Sequence, residues 1–266
     1  MTIKAPLAES RSPMPSRCSV PHQPRAHRIR LENVTLVRGA TTVFDRLSLR
    51  LDDDRIGIVG DNGVGKSSLF RMLCGLDAPR AGRVWVNGGE VGAAPNHERS
   101  VGLMFQNPDE QIIFPTVEEE LSLGPHAAGL PRREALQKAR EWLAARGLGH
   151  WAARAVSSLS QGQRQHVCWL ALTIASPRTL LLDEPFASLD LPGQALLERE
   201  IHGAPHQVIV STHVLAHVRR FGRVIWLAEG GVRADGPGPE VCAAYEADVA
   251  MRMAARAVRM DSCRGD

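Results

Sequence analysis

The sequence predicts an α/β fold: a mainly parallel sheet core covered by helices, with a small antiparallel β subdomain and an inserted α-helical subdomain. Three observations carry this expectation. Short apolar segments alternate with helix-period segments from Ile56 to Ser211, the pattern of parallel strands joined by helical crossovers. Upstream, apolar residues at Ile29 and Leu31, and again at Leu47, Leu49 and Leu51, recur with period two, as in half-buried antiparallel strands. Between residues 107 and 158 the strand pattern gives way to helical spacing.

The elements follow in chain order. Residues 1–28, rich in proline, arginine and serine, bury too little apolar surface to offset the entropy of ordering, and are expected to form a disordered basic leader. The main domain is expected over residues 29–239, its first two strands turning at Gly39-Ala40. Ile56-Gly57-Ile58-Val59 reads as a buried strand, followed by a glycine-rich loop and a helix through Leu69, Phe70 and Leu73 that closes at Cys74-Gly75. Val84 and Val86 lead to an Asn87-Gly88 turn, and Val101 to Phe105 forms another short strand ending at Gln106. In the helical subdomain, about 107–158, Pro131 suits the first turn of a helix whose Leu136, Ala139 and Leu143 share a face, and Gly147 suits its end. The α/β pattern then resumes: a helix from Ser160 to Ala175, a strand from Thr179 to Leu182, a helix near Gln194 to Ile201 and a strand from Gln207 to Ser211. A hairpin follows, Val224 to Ala228 and Val232 to Ala234. Residues 240–266 place Val249, Met253, Ala254 and Val258 near helical spacing, and read equally as a capping or dimer-contact helix or as a charged tail.

Composition narrows the function classes. The 266 residues are 44% hydrophobic and 23% charged, which suffices for a large core. The longest nearly apolar run, Val167 to Ala175, falls well short of the roughly 20 residues a membrane-spanning helix requires. A net charge of +3, with much of the excess before residue 30, leaves no broad basic face, so no nucleic-acid partner is expected. Five scattered cysteines, never in C-x-x-C spacing, argue against a disulfide framework or a zinc site and point to a reducing compartment.

The chemistry is concentrated in two segments. Gly60-Asp61-Asn62-Gly63-Val64-Gly65-Lys66-Ser67 satisfies G-x-x-x-x-G-K-[ST] between a strand and a helix, where backbone N–H groups and a helix N-terminus can cradle phosphate. Asn62, Gly63, Gly65, Lys66, Ser67 and the adjoining Ser68 are therefore candidate nucleotide ligands, with Lys66 reaching the β- and γ-phosphates and Ser67 ligating Mg²⁺. The apolar strand from Thr179 delivers Asp183 and Glu184 at its C-terminal end, where open α/β sheets bind ligands. Asp183 is the candidate for Mg²⁺, and Glu184 the candidate general base for an attacking water.

Together with Gln106, Leu159-Ser160-Gln161-Gly162-Gln163, Ser188-Leu189-Asp190 and His213, in that order, the chain resembles the ATP-binding cassette (ABC) family over roughly residues 28 to 240. The resemblance implies a P-loop ATPase fold that uses ATP and Mg²⁺. It implies that Gln106 contacts the metal and the water while linking the site to the helical subdomain, with Ser67 and Asp183 also on the metal, and that His213 holds the γ-phosphate. It places Ser160, Gly162 and Gln163 against ATP held by a second subunit, with Asp190 organising the interface. Ser160 also has Gln163 three residues on, as in a capping box. The family's adenine-stacking aromatic is replaced: Arg38 occupies the nearest position and Phe44 is its rival. His213 is followed by Val214 where the family usually has an acid.

Gln106-Asn107-Pro108-Asp109-Glu110-Gln111, Pro115 to Leu121 and Gly124-Pro125 closely resemble the energy-coupling factor subfamily, which powers uptake of vitamins and of cobalt or nickel ions. That resemblance implies an ATPase on the cytoplasmic face of the bacterial inner membrane. It would work as a dimer of ATPase subunits, two copies or a pair with a homologue, beneath an integral membrane coupling subunit and a solute-binding membrane subunit. Asp109, Glu110 and Glu118 to Glu120 are expected to meet arginines of the coupling subunit. Asp54 to Gly60, Arg223 to Leu227 and Val232 to Gly236 look like the biotin branch. A soluble cassette ATPase acting on nucleic acid or ribosomes is the competing expectation, because it shares the nucleotide chemistry.

Overall fold

Side-chain alternation along the central strands divides the protein into two hydrophobic cores, one on each face of a single sheet. The computed structural model describes residues 28–93 and 100–262, without the side chains of 257–262; the expected leader, apart from Arg28, lies outside the described residues. In chain order the elements are β1 (Ile29–Arg38), β2 (Thr41–Leu51), β3 (Arg55–Val59), α1 (Lys66–Leu73), β4 (Ala81–Val86), β5 (Gly89–Glu90) and β6 (Val101–Met104). They continue with α2 (Val117–Ala127), α3 (Arg132–Ala144), α4 (Gln161–Ala175), β7 (Thr179–Asp183), α5 (Leu191–Gly203), β8 (Gln207–Ser211), β9 (Arg223–Ala228), β10 (Gly231–Gly236) and α6 (Gly238–Ser262).

The larger sheet has the order β10-β9-β3-β8-β7-β6; only β10 is antiparallel to its neighbour. Strands β7 and β8 are buried at every position, which is why their sequences are nearly continuous apolar runs. One face presents Ile56, Ile58, Leu181, Ile209 and Ile225 to α1 and to the antiparallel sheet β2-β1-β4-β5. The other presents Leu180, Leu182, Val208, Val210 and Val224 to the remaining helices. The antiparallel strands alternate buried and exposed positions because only one of their faces is covered.

The helical block is pinned at its base. Thr116 bridges Ala155, and the Val156 N–H donates to Pro115 O at 2.8 Å, so its two connections run side by side. Pro131 takes the N-cap position of α3 rather than its first turn, and the buried stripe is Ala135, Ala139 and Leu143, with Leu136 only half-buried. The helix expected near Gln194 to Ile201 runs longer at both ends, from Leu191 to Gly203. Of the two readings of the C-terminal stretch, the structure has the helix.

Phe44 of β2 is fully buried beneath the loop that follows β3, at 0% exposure. Phe44→Ala is expected to lower unfolding free energy by about 3–5 kcal/mol in urea titrations, through lost burial and a cavity beneath the loop.

Candidate nucleotide site

The loops that follow β3, β6, β7 and β8 all leave the C-terminal edge of the parallel sheet, so residues far apart in sequence meet there. The strand register sets the meeting point: Ser211 at the end of β8 lies opposite Ile58 of β3 on one side and Asp183 of β7 on the other.

The loop after β3 wraps the N-terminus of α1. Gly63 and Gly65 have φ of 81° and 109°, in the left-handed region that favours glycine. Gly65 has a second reason to be glycine: a Cβ there would lie 2.6 Å from a Val43 methyl and 2.9 Å from the Phe44 ring. Gly65 is the N-cap of α1, no side chain caps this helix and no acid lies in its first turn, leaving a helix end suited to an anion. Lys66 is buried, and its Nζ donates to Gly60 O at 2.8 Å and Asp61 O at 3.2 Å. Burial pushes the Lys66 ammonium below its ordinary range, opposed by the charges of Glu184, Asp183 and Asp61. Ser68 is buried on α1, while Asn62 is exposed on the loop.

Two carboxylates face the lysine. The Ser211 hydroxyl donates to Asp183 Oδ1 at 2.5 Å, and both side chains are buried. Glu184 has a φ of 47°, and its N–H donates to Ser211 O at 2.9 Å. A left-handed conformation at a non-glycine residue costs on the order of 1–3 kcal/mol and persists only where surroundings impose it. It breaks the strand just after Asp183, so the two carboxylates do not follow simple strand alternation. His213 Nδ1 lies 2.8 Å from Glu184 Oε2, and the His213 backbone N–H donates to the same oxygen at 3.3 Å. The Val214 N–H donates to Thr212 Oγ1 at 3.0 Å, so a hydroxyl orders the backbone where the family usually carries an acid. Ser67, Gln106 and Asp183 line one cavity of about 260 Å³, together with Arg71 and Glu110.

Ser160, Gly162, Gln163 and Asp190 line a different cavity, of about 610 Å³, which shares no residue with the first. Here the capping box is complete: Ser160 Oγ accepts from the Gln163 N–H at 3.2 Å, and Gln163 Oε1 accepts from the Ser160 N–H at 3.0 Å. Asp190 Oδ1 accepts from the Gly193 N–H at 2.9 Å and so caps α5. Gln161 Nε2 donates to Ser188 Oγ at 2.8 Å, tying the two segments together.

Two expectations, for Glu120 and for Phe44, need correction. Most of the acids assigned to membrane-subunit arginines have partners within the chain. Glu118 receives Arg140 through two hydrogen bonds, at 2.7 and 2.9 Å, and Glu119 accepts from Thr116 at 2.6 Å. Asp109 pairs with Arg164 at 2.9 Å. Glu120 is 4% exposed and accepts the N–H groups of Ile113 and Phe114, both at 2.9 Å. A buried carboxylate with two backbone donors is a loop clamp, since stripping it for an external arginine would leave those donors unpaired. Phe44, buried, is no base-stacking surface. Arg38 is held by Asp77, which also receives Arg71 at 3.1 Å.

Sequence reasoning missed Ser211 and Thr212. The available sign was a polar pair closing an otherwise apolar strand, Val208-Ile209-Val210-Ser211-Thr212.

The ABC transporter family matches residues 44–187. The chain is similar to the biotin transport ATP-binding protein BioM of Rhodobacter capsulatus, at 46% identity over 86% of this chain and 97% of that protein. It is similar to the energy-coupling factor transporter ATP-binding protein EcfA1 of Methanospirillum hungatei, at 36% identity over 66% of each. Its fold is similar to that of cbiO1 from Clostridium perfringens, described as part of the ABC transporter complex cbiONQ. That likeness has a TM-score of 0.71 at 26% identity and covers 84% of this chain and 93% of that one.

Gly65→Ala adds a methyl into Val43 and Phe44 at a φ that alanine disfavours. It is expected to weaken ATP binding at least about tenfold in calorimetric titration, equivalent to about 1.4 kcal/mol, with a measurable loss of stability.

Proposed function

The chain belongs to the ABC transporter family, and from that membership we propose that it is the ATP-hydrolysing subunit of an energy-coupling factor importer. The observation that carries the reading is the convergence of Lys66, Asp183, Glu184 and His213 at one sheet edge, with Ser67 and Gln106 sharing a cavity with Asp183.

Each residue has a part in this reading. Lys66 and the α1 N-terminus, with Gly63, Gly65 and Ser68 shaping the loop and Asn62 at its rim, hold the phosphates. Ser67, Gln106 and Asp183 offer hydroxyl, amide and carboxylate oxygens to one cavity, a hard-oxygen set that suits Mg²⁺ with part of its water shell. When bound, that ion would draw charge from the phosphate oxygens. Glu184 takes a proton from the attacking water, and His213, held 2.8 Å away, orients the carboxylate and can bear on the γ-phosphate. Arg38, anchored by Asp77, offers its guanidinium plane to the base.

Ser160, Gly162 and Gln163 line another cavity, which supports their serving ATP bound to a second cassette chain, with Asp190 fixing the helix next to them. The working unit is then a pair of ATPase chains closing on two ATP molecules. Among the described residues no helix is long and apolar enough to cross a membrane. By likeness to relatives named as transporter ATP-binding proteins, we assign the transport path to separate integral membrane subunits and this chain to the cytoplasmic face of the inner membrane. With Glu120 committed to backbone donors, the loop after Gln106 offers such a subunit Ile113, 73% exposed, and Glu110. Biotin is the solute we assign; what supports it is the 46% identity to a protein named for biotin transport.

Glu184→Gln is expected to keep ATP binding while lowering steady-state hydrolysis by about 100-fold or more, as loss of a general base does. In cells, Lys66→Ala is expected to abolish uptake of labelled biotin. Intact biotin uptake with lost cobalt or nickel uptake would reassign the solute.

A further inference from the structure

The phosphate loop carries a carboxylate of its own. Asp61 is the one acid between Gly60 and Ser67, and a negative charge there opposes an incoming triphosphate. In the structure α6 answers it. The Tyr245 hydroxyl donates to Asp61 Oδ1 at 2.7 Å; Arg252 donates through Nη1 to Oδ2 at 2.6 Å and through Nη2 to Oδ1 at 3.2 Å.

The arginine is braced in turn. Its Nε donates to Asp248 at 2.7 Å, and Asp248 also accepts from Arg233 of β10 at 2.7 Å. Arg233 lies 4.5 Å over the Trp226 ring, and Trp226 packs against Tyr245 with ring centres 5.1 Å apart. The hydrogen bonds from Arg252 and Tyr245 hold the Asp61 carboxyl below its usual range. Arg252 and Asp61 are 49% and 51% exposed, so their pairing adds little to folding stability. Its consequence lies in the field and the posture of the loop. Helix α6 also lies beyond residues 44–187, the part of the chain that matches the family.

We propose that α6 sets nucleotide affinity: Arg252, with Tyr245, neutralises and positions Asp61 so that the loop accepts a triphosphate. Both are positioning residues, acting on ATP through Asp61. The proposal rests on ATP binding at this loop.

The test is a cycle of ATP dissociation constants measured by calorimetry on the full chain for wild type, Arg252→Ala, Asp61→Asn and the double variant. Arg252→Ala is expected to weaken binding about fivefold or more, a Coulombic effect of one uncompensated charge. In the Asp61→Asn background, where no charge is left to neutralise, the same replacement is expected to cost less than about twofold. Tyr245→Phe is expected to show a smaller loss than Arg252→Ala. If Arg252→Ala does not fold, Arg252→Gln keeps most of the stem and removes the charge. An Arg252 variant that binds ATP as the wild type does overturns the proposal. So does a loss that persists undiminished with Asp61→Asn, because that would mark a merely structural role. A wild-type chain that binds no ATP would instead overturn the nucleotide reading, and this inference with it.

Discussion

The candidate site depends on the alignment of three parallel strands. Because β8 stands between β3 and β7 with Ser211 opposite Ile58 and Asp183, the phosphate loop and the two carboxylates emerge at the same height. Burying Asp183 and Glu184 next to each other is unfavourable unless their charge is met. Ser211 meets part of it by donating to Asp183, His213 lies against Glu184, and the Lys66 ammonium supplies the opposite charge. A one-residue slip of β8 would move Ser211 away from Asp183 and place its side chain on the other face. The site is thus a consequence of sheet register, and the register follows from the apolar faces that the two cores require.

The same fold keeps two groups of candidate residues apart. Phosphate loop, carboxylates, Gln106 and His213 share one edge, whereas Ser160 and its helix line a cavity with no residue in common with theirs. The Ser160 capping box stabilises α4 locally and also presents a helix N-terminus with no acid in its first turn. A helix end of that kind is suited to phosphate, and a second chain could bring it one. Structural capping and nucleotide recognition are therefore compatible uses of the same serine.

Legibility in the sequence followed distance along the chain. The strand, loop and helix of the phosphate site, the strand ending at Asp183-Glu184 and the Ser160 cap were readable because spacing of a few residues dictates each of them. So were the two classes of sheet, since one-sided and two-sided burial leave different periodicities. What escaped was decided by long-range pairing. Glu118 reads as a free surface acid until α3 brings Arg140 to it from 22 positions away. Glu120 turns inward to backbone donors that only the folded loop presents. Phe44 looks like a stacking ring until the loop packs on it. Asp61 and Arg252, 191 positions apart, share no local pattern at all.

The central claim is that each ATP is gripped by the loop of one chain and completed by Ser160 of another. Lys66→Ala and Ser160→Arg each disable every composite site when assayed alone. In the mixed dimers that form when the two purified chains are combined in equal amounts, both lesions fall in one site and the other is intact. Hydrolysis by the mixture well above the sum of the separate variants is the result this account predicts; a mixture no more active than that sum, under conditions in which the wild-type chain pairs and hydrolyses ATP, would contradict it.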